Sequence, residues 1–199
     1  MTSFLAVFGI AFGAVLLVEL PDKTLVATLV LSTRYRRRPV LLGVASAFAV
    51  QCAVAVTAGG LLRLLPHRLL EAFVAVLFAV GAFILFRETV GGADDADESV
   101  DPAASALSDR RIFGISFGVL FAAEWGDASQ LATAGLVARY GEPLAVGIGS
   151  FLALVGVAVL AALLGRAILR KVPLNLIHQI AGALFTVFAI VAAVAAIRG

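Results

Sequence analysis

Six long apolar segments dominate this chain. They run roughly over residues 3–33, 39–62, 69–87, 112–138, 143–165 and 174–197. A helix needs about 18 or more apolar residues to cross ~30 Å of hydrocarbon, and these segments have that length. Only 14% of the residues are charged, against about a quarter in a soluble domain, and the charges cluster at the breaks. Those breaks read RYRRRP (34–39), RLLPHR (63–68), the stretch 88–111, RYGEP (139–143) and RAILRKVP (166–173). Pro39, Pro66, Pro143 and Pro173 mark helix starts or turns there. The ten-residue alternation of a membrane β-barrel is absent. The sequence therefore predicts an all-α integral membrane protein with six transmembrane helices.

The N-terminus opens like a signal peptide, but no Lys or Arg precedes its apolar stretch and no clean small-x-small site follows. It reads as an uncleaved first span. The single cysteine, Cys52, lies in an apolar run and reads as a buried thiol. A net charge of +2 is too small to argue for nucleic acid.

The acidic, small and polar stretch 88–111 reads as a solvated, flexible linker between repeats at 1–87 and 112–199. The two halves resemble each other. Adding 105 takes Glu19 to Glu124, Asp22 to Asp127, Thr24 to Ser129, Thr28 to Thr133, and Arg34–Tyr35 to Arg139–Tyr140. Adding 104 takes Pro39 to Pro143, Gly43 to Gly147 and Ser46 to Ser150. Three spans per half is an odd number, so the second half must enter from the opposite face. The expected architecture is two inverted three-helix repeats. Orientation follows from the basic residues. Arg34, Arg36–Arg38, Arg87, Arg110, Arg111, Arg166, Arg170 and Lys171 share one face; Arg63, Arg68, Arg139 and Arg198 share the other. That bias predicts a cytoplasmic linker and both termini outside.

Within this apolar chain, VELPDKT (18–24) and FAAEWGDASQ (121–130) each carry a glutamate and an aspartate three residues apart. Residues 112–123 precede the second motif and 131–138 follow it, about 18 Å and 12 Å of helix, so the acids belong near mid-membrane. A carboxylate there costs at least about 2.5–3.5 kcal/mol. Glu19, Asp22, Glu124 and Asp127 must share a compensating cation, base or proton. Spacing of three puts each pair on one helical face. Pro21 and Gly126 inside the motifs can break the helix and free carbonyls. Thr24, Ser129 and Gln130 add neutral oxygens; Lys23, Gln51, Ser46 and Ser150 are weaker candidates for lining the site. A donor set of carboxylate, hydroxyl, amide and carbonyl suits Ca2+, Mn2+ or Mg2+. No Cys or His lies in either motif, which argues against a dedicated zinc or copper site.

The paired ELPDKT and EWGDASQLAT resemble the duplicated E-x-G-D-[KR]-[TS] signature of the Golgi-type Ca2+/Mn2+:H+ antiporters, a family that includes bacterial manganese exporters and chloroplast manganese carriers. The resemblance covers nearly the whole chain. It implies metal-binding roles for Glu19, Asp22, Thr24, Glu124, Asp127 and Ser129. Pro21 stands where the family has Gly, and Ala128 where it has Lys or Arg; only Lys23 keeps the basic position.

The expected function is a secondary transporter in a bacterial plasma membrane, exchanging Mn2+ or Ca2+ for protons and exporting the metal. No prosthetic group and no enzymatic activity are expected; the partners are the dication and the lipid bilayer, and a homodimer is possible. The rival readings are an efflux carrier for another small solute such as an amino acid, an intramembrane aspartyl protease built on Asp22 and Asp127, and a purely structural subunit.

Overall fold

The computed structural model describes residues 3–19, 23–91, 107–164 and 174–198; Asp22 and most of the central linker lie outside the described residues. Among the described residues there are eight α-helices and no strand. They are α1 (Phe4–Glu19), α2 (Lys23–Arg34), α3 (Arg37–Leu62), α4 (His67–Gly91), α5 (Asp109–Ala123), α6 (Ala128–Tyr140), α7 (Pro143–Leu164) and α8 (Leu174–Arg198). The all-α expectation holds. The apolar segment 112–138, read as a single span, is divided into two helices, α5 and α6; in segment 3–33, α1 and α2 flank residues 20–22, which lie outside the described residues. The stretch 88–111 is helical at both ends, since α4 continues to Gly91 and α5 begins at Asp109.

Local chemistry explains the boundaries. α6 ends on Gly141, whose left-handed φ of +70° lets its N–H close on the Val137 carbonyl at 2.9 Å. Pro143 then opens α7, where a missing N–H costs nothing. Extended Arg36 precedes α3, and Pro39 falls in its first turn.

Arg37–Leu62 and Pro143–Leu163 are long and apolar enough to cross a membrane by themselves; Phe4–Glu19 and Gly182–Arg198 are shorter apolar helices. Large apolar side chains such as Leu42, Phe73, Val76, Phe83, Val187 and Ile190 lie exposed on α3, α4 and α8. A surface of this kind suits hydrocarbon, because water does not tolerate extensive apolar patches.

The helices repeat as the residues do. Adding 105 to α1 and α2 gives 109–124 and 128–139, the bounds of α5 and α6 to within one residue. Adding 107 to α4 gives 174–198, the bounds of α8. The packing exchanges in the same way: α1 lies on α7 and α5 on α3, while α3 meets α7 and α4 meets α8. Glycines set the closest approaches. A Cβ on Gly43 would stand 2.5 Å from the Phe113 carbonyl, and one on Gly149 would stand 2.8 Å from the Phe8 carbonyl. Phe8 and Phe113 are themselves 105 apart. Between α4 and α8, Phe185 covers Gly81 and Phe86 covers Gly182. Phe78 meets Phe185 edge to face at 5.5 Å.

Contacts between loops distinguish two ends. Arg36 donates to the Leu107 carbonyl at 2.6 Å and pairs with Asp109 at 2.9 Å, at the arginine-rich end. Arg63 donates to the Gly141 carbonyl at 3.3 Å, at the opposite end. Near that second end, Arg139 of α6 pairs with buried Glu71 of α4 at 2.6 Å.

Candidate metal centre

The centre is built where α5 stops and α6 starts. Glu124 caps α5, its N–H still bonded to the Leu120 carbonyl at 3.1 Å. Gly126 then takes φ +77°, a conformation open to glycine at little cost. Asp127 follows in extended geometry as the N-cap of α6. Its carboxylate accepts from the Gln130 N–H at 2.9 Å and from the Ser129 hydroxyl at 2.9 Å. The Gln130 side chain reaches back and accepts from the Gly126 N–H at 2.7 Å. This is a reciprocal cap: both ends of the turn are closed by side chains three or four residues away. The positive end of the α6 dipole faces the Asp127 carboxylate.

Glu19, the last residue of α1, comes to the same place. Carboxylate oxygens of Glu19, Glu124 and Asp127 all lie within 4.8 Å of one another, with both glutamates buried. Beside them a small pocket is lined by Gln51 and Cys52 of α3, Leu154 of α7, and Asp127, Ser129, Gln130 and Thr133 around α6. The Gln51 amide donates to the Phe121 carbonyl at 3.2 Å and ties α3 to the end of α5. The Ser150 hydroxyl of α7 meets the Thr133 hydroxyl at 3.0 Å, Thr133 accepting, so Ser150 stands just behind the pocket.

Most of the residues singled out from the sequence converge here. Glu19, Glu124 and Asp127 cluster; Ser129, Gln130 and Gln51 line the adjoining pocket; Ser150 supports Thr133. Thr24 is fully buried in the first turn of α2. Lys23 opens α2, but its side chain, like the whole of Asp22, lies outside the described residues. Ser46 is different: its hydroxyl donates to the Leu42 carbonyl of its own helix at 2.8 Å, and it does not line the pocket.

Sequence reasoning passed over Thr133 and Cys52 as pocket residues, and the Glu71–Arg139 pair. For Thr133 a signal existed: it recurs as Thr28 in the other half and follows Ser129 by one helical turn. Glu71 was also legible as a carboxylate inside an apolar segment.

Three ionised carboxylates this close repel one another strongly in a low-dielectric setting. A divalent cation or added protons can each offset that repulsion. Oxygens of carboxylates, hydroxyls and amides are the ligands that hard dications take.

Comparison with known proteins bears on the same residues. The family model described as divalent cation/proton antiporter GDT1 matches residues 7–93 and 112–199, which takes in both acidic motifs. A GDT1-like protein of Synechocystis, sll0615, is 31% identical over 185 residues, covering 87% of this chain and 89% of its own. A Vibrio cholerae protein provisionally named a manganese exporter is 31% identical over 193 residues, covering 95% of this chain and 91% of its own. GDT1-like protein 5 of Arabidopsis thaliana is 28% identical over 220 residues, covering 96% of both chains. No solved structure gives a match. With a matched motif in each half and relatives aligned over most of their length, this chain belongs to the GDT1 family of divalent cation/proton antiporters.

Proposed function

We propose that the protein exchanges Mn2+ or Ca2+ for protons across a bacterial plasma membrane and exports the metal from the cytoplasm. The family is one of membrane transporters, not enzymes, which sets the protease reading aside. Relatedness to a protein provisionally named a manganese exporter supports manganese as a substrate. The observation that carries the reading is the approach of Glu19, Glu124 and Asp127 oxygens to within 4.8 Å of one another.

The ion ligands in this proposal are Glu19, Asp22, Thr24, Glu124, Asp127 and Ser129, with Gln130 and Gln51 lining the way. Charge bookkeeping gives the mechanism. Glu19, Glu124 and Asp127 together bring three negative charges; a dication reduces them to one, and protons on the same oxygens do likewise. Metal and protons therefore exclude each other, and that competition couples their movements.

Alternating access follows from two inverted repeats, 1–87 and 112–199, rocking about the shared site. Two contacts support that topology. Arg36 meets Leu107 and Asp109, so the end of α2 and the start of α5 share one end of the molecule. Arg63 meets Gly141, so the ends of α3 and α6 share the other. On this reading α1–α2 runs towards the arginine-rich end and α5–α6 runs away from it. The arginine-rich end is the cytoplasmic face, and both termini lie outside.

Uptake of 54Mn2+ or 45Ca2+ into inverted vesicles under an imposed pH gradient tests the proposal. Glu124→Gln keeps the size and removes the charge. It is expected to lose at least about 100-fold in rate, on the order of 3 kcal/mol of lost charge interaction. Wild-type transport by Glu124→Gln would refute the assignment.

A further inference from the structure

Among the described residues, four hydroxyls stand apart. Thr24, Thr28 and Ser32 of α2 and Ser116 of α5 have buried hydroxyl oxygens with no hydrogen-bond partner among those residues. Thr24, Thr28 and Ser116 are wholly buried. Elsewhere, Ser46, Thr57, Thr133 and Thr186 each donate to the carbonyl one turn earlier, at 2.8, 2.7, 2.9 and 2.8 Å. That back-bond is the ready option for any hydroxyl on a helix. A buried hydroxyl that forgoes it is costly unless something else satisfies it.

Three of them form a line, and Ser116 of α5 lies beside Gly43 of α3. Residues 24, 28 and 32 share one face of α2 and span about 12 Å. Thr24 sits five residues after Glu19; Ser32 sits two before Arg34, at the arginine-rich end. Ser116 precedes Glu124 by eight residues, which places it about 12 Å along α5 towards that same end. α2 and α5 pack on each other. The other half of the molecule has no such set among the described residues. There Ser129 and Thr133 are bonded, and Glu71–Arg139 and Arg63–Gly141 hold the helices together.

We propose that α2 and α5 enclose a one-sided water path from the arginine-rich end to the carboxylates. Each hydroxyl both donates and accepts, and neighbours one turn apart are spaced for a single bridging water. A dication would need about six oxygens at once, which a single file of hydroxyls cannot supply. The path stands on the hydroxyls alone. That it carries the protons of exchange rests on the antiport reading.

Cysteine labelling tests the path, because Cys52 is the sole cysteine and Cys52→Ser gives a clean background. Thr28→Cys, Ser32→Cys and Ser116→Cys are treated with a charged, membrane-impermeant methanethiosulfonate in right-side-out and inverted vesicles. All three are expected to react from one face only, on the order of tenfold faster than Ala82→Cys in the apolar core. Reaction no faster than Ala82→Cys, or reaction equally from both faces, overturns the path. The proton role is read in proteoliposomes. Thr28→Val should bind Mn2+ like wild type yet release protons on Mn2+ addition about tenfold more slowly; wild-type release overturns that role. Wild-type protein that moves no protons with Mn2+ sinks the antiport reading, while the labelling pattern still decides the path.

Discussion

At the scale of single residues, glycines do two different jobs. Gly126 holds φ +77° between Glu124 and Asp127, and nothing lies within 4 Å of where a Cβ would sit. The constraint there is dihedral, so Gly126→Ala should cost about 1–2 kcal/mol from backbone alone. Gly43 is constrained by space instead. Its Cβ would strike the Phe113 carbonyl, which cannot rotate away. Gly43→Ala is therefore expected to cost about 1–3 kcal/mol and to splay α3 from α5. Gly114, in α5 with open space beside it, is the comparison: Gly114→Ala should be neutral or stabilise by up to about 1 kcal/mol. Thermal unfolding in detergent checks all three; Gly43→Ala melting with Gly114→Ala would contradict the packing account. The sequence marked Gly126 as special because it broke an acidic motif. It marked Gly43 only as the repeat partner of Gly147; which group Gly43 meets was not legible, since that is a carbonyl 70 residues away in the chain.

At the scale of elements, the α5–α6 break joins structure to chemistry. Asp127 is both the N-cap of α6 and a member of the carboxylate cluster. The two roles are separable. Asn caps helices about as well as Asp, so Asp127→Asn should leave the melting temperature nearly unchanged while Mn2+ affinity, measured by calorimetry, falls at least about tenfold. Equal affinity would mean that the acid only caps. Gln130→Leu does the reverse: it leaves the Gly126 N–H without its acceptor and should cost about 1–3 kcal/mol of stability. The apolar segments were legible as helices, and Pro21 and Gly126 hinted at interruption. That segment 112–138 divides into two capped helices followed only from the turn, because hydropathy is blind to backbone dihedrals.

At the scale of the whole molecule, α6 is held between α3 and α4, and the Glu71–Arg139 pair fixes its far end. Glu71→Ala should lower the melting temperature, and the exchange Glu71→Arg with Arg139→Glu should recover part of the loss. No recovery would show that packing, not charge, joins these helices. The sequence by itself determined the membrane-embedded, all-helical class, the repeat, and the acidic residues at its heart. Those follow from composition, spacing and the energy of placing charge in hydrocarbon, which are properties of the chain as written. The motifs led one to expect that Glu19 meets Glu124 and Asp127; tertiary structure alone decided how closely, that Ser46 turns to its own helix, and which hydroxyls are left without partners among the described residues. Such facts depend on which helices touch, and contact between residues 100 apart is settled by packing rather than by any local pattern.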